Sequence, residues 1–166
     1  MSNSTQFSIG VSLEKFDAYV SGTSDLPLVI DLSKISDCVT IPDDGSFSIT
    51  TTTTSVGIAV NMDLNNQPSG ITGEPLFYFP NVGSFSYRSG YWFVTKLSLS
   101  GQGSTPNQES VFGENIVMTL DLMDGMNPAE SVEFRIHFMI SYWKSGTLYN
   151  YPVYIDPKLK VSQPPL

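Results

Sequence analysis

A chain of 166 residues and 18.2 kDa suits one domain, since surface scaling gives roughly 26,000 Å² unfolded against about 8,000 Å² folded, enough burial for a core without covalent staples. Charged residues make up only 14% while Ser and Thr number 36, and 12% aromatic with 40% hydrophobic residues excludes wholesale disorder. A formal charge of −8, with no basic residue between Lys34 and Arg88, excludes the phosphate backbone of nucleic acid as the chain's own ligand.

The first ten residues, MSNSTQFSIG, have neither the basic flank nor the apolar stretch of a secretory signal, so synthesis without a leader is expected. Phe7, Ile9, Val11 and Leu13 then alternate with polar residues, the period of a half-buried strand. Leu26, Leu28, Ile30 and Leu32 repeat the pattern. From Phe47 to Leu64 the phase changes: Phe47 and Ile49 are odd, whereas Val56, Ile58, Val60, Met62 and Leu64 are even. A slip of one residue turns a strand over, so the threonines at 50–54 must hold a bulge, bend or break, and one long strand crossing a sandwich corner is predicted.

Farther on, Phe85, Tyr87, Tyr91, Phe93, Leu97 and Leu99 share odd positions, and Ile116, Met118, Leu120 and Leu122 form another alternating set. The clearest strand is 132–142, with Val132, Phe134, Ile136, Phe138, Ile140 and Tyr142 on one face and Glu133, Arg135, His137, Met139 and Ser141 on the other. Tyr149, Tyr151, Val153 and Ile155 follow. Turn chemistry separates these runs at Pro42-Asp43-Asp44-Gly45, Asn65-Asn66-Gln67-Pro68-Ser69-Gly70, Asn81-Val82-Gly83 and Gly101-Gln102-Gly103. Only Asn127-Pro128-Ala129-Glu130-Ser131 reads as helical, for a turn or so. The prediction is an all-β antiparallel β-sandwich, jelly-roll-like, with 8–10 strands. It occupies residues 1–157 as a single domain, with 158–166 as an extended tail.

Chemistry is sparsely signalled. Cys38 is the single cysteine, which excludes an internal disulfide and a thiolate zinc cluster, and reads as a small buried hydrophobe. His137 is the single histidine, mid-strand, where a surface or interface role outweighs that of catalytic base, and no multi-histidine metal site can form. Asp43-Asp44-Gly45 and Asp121-Leu122-Met123-Asp124-Gly125 are ordinary turns before they are calcium ligands. No carboxylate pair is singled out for glycoside hydrolysis and no phosphate loop is present. No catalytic role, cofactor or metal is expected, and no apolar run approaches the roughly 18 residues of a membrane span.

Aromatic placement stands out. Residues 87–93 and 142–154 hold both tryptophans and six of the eight tyrosines, the residue types that anchor interfaces. Trp92 lies opposite Phe93, and Met139 and Trp143 lie opposite Phe138 and Tyr142, so two strands carry apolar groups on both faces. That second face is subunit contact, ligand platform, or core under a loop. Arg88, Tyr91, Trp92, Trp143 and Tyr149 are the candidate contact residues.

A leaderless, low-charge jelly-roll pattern resembles the structural proteins of small viruses, and since Met1 to Glu14 carry no basic residue, the spike, protruding-domain and minor-coat types rather than the genome-contacting shell. The resemblance implies a non-enzymatic virion protein, assembled in the host cytoplasm and working at the virion surface. Its partners would be further copies of itself, other coat proteins, and a host receptor or glycan. The alternative is a carbohydrate-binding or adhesin-like module.

Overall fold

The computed structural model describes residues 4–41, 46–89, 94–123 and 131–162. Fourteen strands lie among them, in chain order β1 (Ser4–Ser12), β2 (Ile30–Asp31), β3 (Val39–Thr40), β4 (Ser46–Thr50), β5 (Ser55–Asp63), β6 (Ile71–Pro80), β7 (Phe85–Ser89), β8 (Val94–Ser100), β9 (Gly103–Ser104), β10 (Ser110–Gly113), β11 (Asn115–Leu122), β12 (Ser131–Lys144), β13 (Thr147–Ile155) and β14 (Lys158–Ser162). Three of them are two-residue pieces, which accounts for most of the excess over the expected count. One helix, α1 (Leu13–Ser21), follows β1 directly.

The strands form two sheets. The smaller runs β3-β1-β5-β11-β8; the larger runs β2-β13-β12-β6-β10-β9. In the larger sheet β12 is the spine. Its C-terminal half pairs with β13 and β6, and its N-terminal half with β14 and β7. β4 joins beyond β14. The inner faces of both sheets meet in one core, to which β5 gives Val56, Ile58 and Val60, β11 gives Ile116, Met118 and Leu120, and β12 gives Val132, Phe134, Ile136, Phe138, Ile140 and Tyr142. Phe138 stacks on Phe79 at 4.7 Å and meets Phe77 edge-on at 5.2 Å.

The all-β character is as expected, but the sheets are mixed. β1 pairs with β5, β2 with β13 and β4 with β14 in parallel, and the remaining pairs are antiparallel. A wholly antiparallel jelly-roll arrangement does not accommodate those three pairs. Alternation reports which face a side chain takes, not the direction of the neighbouring strand. At residues 51–54 the chain breaks rather than bends: β4 belongs to the larger sheet and β5 to the smaller. Thr53 is buried, donates its backbone N–H to Thr50 O at 3.0 Å, and accepts the Thr50 N–H on its hydroxyl at 3.2 Å.

Three further expectations are corrected. α1 was not anticipated, although Ser12 caps it by accepting the Lys15 N–H at 3.2 Å and Leu13, Phe16, Asp17 and Val20 form its buried stripe. The run Leu26 to Leu32 is not a strand: only Ile30–Asp31 pairs, Leu28 is 90% exposed, and a 3-10 turn follows at Leu32–Lys34. Nor does the fold end at 157, because β14 pairs on both sides and its Leu159 and Val161 are core. The expected helical turn at 127–131 lies almost wholly outside the described residues.

Candidate functional site

The outer face of the larger sheet is divided along its strands. Successive outward residues of β12 are Glu133, Arg135, His137, Met139, Ser141 and Trp143, and the partner registers set Tyr78 and Pro152 beside Met139, and Tyr154 beside His137. Around the middle of β12 is a groove of about 200 Å³ lined by Val29, Tyr78, Pro80, His137, Met139 and Pro152. Two of its lining residues, Val29 and Pro80, lie close in sequence to exposed apolar side chains. Leu28 comes before Val29 and Val82 after Pro80, and both of those side chains are 90% exposed. Alternation on a solvated sheet would place polar groups here.

Toward the N-terminal end of β12 the face becomes cationic. Arg88 donates from Nη1 to Asp156 Oδ2 at 2.6 Å, and Arg135 brings its Nε to 4.0 Å from the same oxygen. The Arg135 guanidinium lies 4.5 Å from the centre of the Tyr154 ring. Arg135 Nε and Asp156 Oδ1 are buried without a hydrogen-bond partner among the described residues. Two guanidinium groups around one carboxylate leave a net positive charge. Lys158 and Glu133 approach within 3.8 Å beside them. His137 stands at the boundary, its Nε2 3.0 Å from the Ser86 hydroxyl. Burial, then the charge of Arg135, lowers its pKa, which keeps the imidazole neutral.

A second polar cluster ties α1 to the larger sheet. Asp17, on the buried stripe of α1, accepts from the Tyr142 hydroxyl at 2.8 Å and from Lys144 Nζ at 2.7 Å. Burial, then the hydrogen bond to Asp17, pushes the Tyr142 phenol up. Tyr149 and Tyr151 stack in parallel beside it, closing a cleft of about 170 Å³. Cys38 is buried, its thiol pushed up to about 12 by desolvation, which makes it a poor nucleophile.

The five candidate contact residues are not brought together. Arg88 and Trp143 share the outer face but sit at opposite ends of β12, nine or ten residues apart, a span of roughly 30 Å at the usual strand rise. Trp143 is 48% exposed, next to the exposed Leu148. Tyr149 faces the Asp17 cleft instead. Tyr91 and Trp92 lie outside the described residues. Sequence reasoning placed Met139 on this face but missed Val29 and Pro80 as lining residues of the groove. They belong to loops and strand ends, where alternation gives no signal.

Among the described residues no three His, Cys, Asp or Glu side chains gather as metal ligands would, and no helix is long and apolar enough to cross a membrane. No family model and no curated protein matches the chain. Among solved structures it is similar to the inclusion body protein PixA of Burkholderia cenocepacia J2315, with a TM-score of 0.51 and 9% identity over 96% of this chain and 97% of that one. At that identity the likeness is one of fold.

Proposed function

We propose that this protein is a non-enzymatic structural protein that works by self-association, with the outer face of the larger sheet as its contact surface. The observation that carries the reading is the apolar groove around Met139, with the exposed Leu28 and Val82 close in sequence to its lining residues Val29 and Pro80, on a face opposite the core. Exposed apolar surface of this kind, rimmed by polar groups, marks interaction sites. Three strands about 4.8 Å apart along the 14 residues of β12 outline on the order of 700 Å², near the roughly 800 Å² each partner gives to a stable interface. Virion surfaces, the setting drawn from the low-charge composition, are built from such repeated contacts. PixA, by name an inclusion body protein, lends the fold.

Native mass spectrometry at micromolar concentration tests the reading. Wild-type protein is expected as an oligomer, and Met139→Glu, which puts a charge in the groove, as a monomer with an unchanged melting profile. A wild-type monomer, or a variant that assembles equally well, refutes it. The carbohydrate-binding alternative rests on the exposed indole of Trp143. It requires glycan-array binding that disappears in Trp143→Ala.

A further inference from the structure

We infer that the occupant of this face is the segment 25–28 of a second copy of the chain, its Leu28 seated in the groove and its Asp25 on the Arg88–Arg135 pair. The inference rests on the self-association just proposed and names the partner element.

Charge is the first argument. Five of the eight basic residues lie in strands of the larger sheet, Arg88, Arg135, Lys144, Lys158 and Lys160, against three of the sixteen acidic ones, Asp31, Glu74 and Glu133. The strands of that sheet therefore carry a net +2 and the rest of the chain −10, which together give the −8 of the whole. Two copies with that charge repel in bulk. They attract when an acidic segment of one meets the cationic half of this face on the other.

The two partners also match in shape. Arg88 is 53% exposed and spends one donor on Asp156, and the Arg135 side chain is 35% exposed although its Nε is buried 4.0 Å from the same carboxylate. A guanidinium offers five N–H donors, so a further carboxylate can be held by both side chains. Asp25 is exposed, its carboxylate has no partner among the described residues, and three positions on stands Leu28, 90% exposed. Arg135 and Met139 are four strand positions apart, about 13 Å. Three residues of extended chain from Asp25 to Leu28 span at most about 11 Å. The length of the arginine side chains covers the difference.

A mixing experiment tests this, read by native mass spectrometry and sedimentation of the full chain. Leu28→Glu removes the knob and keeps the face; Met139→Glu damages the face and keeps the knob. Each variant alone is expected to be monomeric, and a one-to-one mixture to form a heterodimer, because one intact segment still finds one intact face. Asp25→Lys is expected to weaken assembly at least tenfold and to regain it when mixed with Arg88→Glu/Arg135→Glu. Wild-type assembly should weaken with added salt. If Met139→Glu is monomeric while Leu28→Glu assembles like wild type, or if Val82→Glu is the variant that blocks assembly, another element fills the groove and this inference falls while self-association stands. Wild-type-like assembly of Met139→Glu overturns both. Pro152→Asp, at an exposed groove position, replaces Met139→Glu should the latter melt early.

Discussion

Asp17 is a carboxylate in the interior, 5% exposed, and it persists there because a phenol and an ammonium both donate to it. Removing one partner of such a pair leaves the other charge desolvated, which typically costs about 3–5 kcal/mol. Lys144, whose side chain is 26% exposed, can turn to water, so Asp17→Ala is expected near the lower end in urea unfolding. The double variant Asp17→Leu/Lys144→Met is expected to recover part of that loss, as replacing both partners by apolar groups often does. His137 makes a pH prediction. Its folded pKa lies below the unfolded value of about 6.5, so the unfolded chain binds the proton more readily. Stability is therefore complete above about pH 6.5 and declines as the pH falls below it. Midpoints of unfolding at pH 7.5 and 5.5 should differ in wild type and differ less in His137→Gln. The single histidine was visible in the sequence as a mid-strand surface residue. Asp17 was not, because its importance depends on a helix that alternation at Phe7 to Leu13 concealed.

At the level of elements, β12 was legible almost completely: its predicted inward set is the buried set, and Phe138 lies between two phenylalanine rings. Phe138→Ala is expected to lower stability by about 3–5 kcal/mol, the range for an aromatic deleted from a core. Thermal melts check this, and an unchanged midpoint would reverse the face assignment. Elements with a second signal beside alternation were read less well. Leu13 extends the β1 alternation and also opens the helical stripe of α1, and the Ser12 cap is the feature that decides between them. In the stretch Leu26 to Leu32, Pro27 interrupts the pattern, which places Leu28 in solvent instead of the core. The turn joining β12 and β13 follows local chemistry: Ser145 and Gly146 both take positive φ, as a two-residue hairpin of the primed type requires.

For the whole molecule, the sequence announced two packed sheets and an apolar second face, but not the wiring. Strand neighbours, parallel pairing and the lining of the groove arise from contacts between distant parts of the chain. A local pattern does not encode them. The uneven distribution of charge was equally hidden, since it appears only when strands are sorted by sheet. β14 illustrates the cost of reading the C-terminus as a tail. Residues 158–162 form the only pairing of β4 among the described residues. A chain ending at 157 is therefore expected to unfold cooperatively at a markedly lower temperature than the full chain, as differential scanning calorimetry would show.

The same pairing imposes an order on synthesis. Phe47 and Ile49 leave the ribosome more than a hundred residues before the strand that shelters their backbone, so the nascent chain carries an apolar β4 without that partner over all of that interval. Completion of the larger sheet waits for residues 158–162 to emerge. Until then that edge is open to pairing with a wrong neighbour.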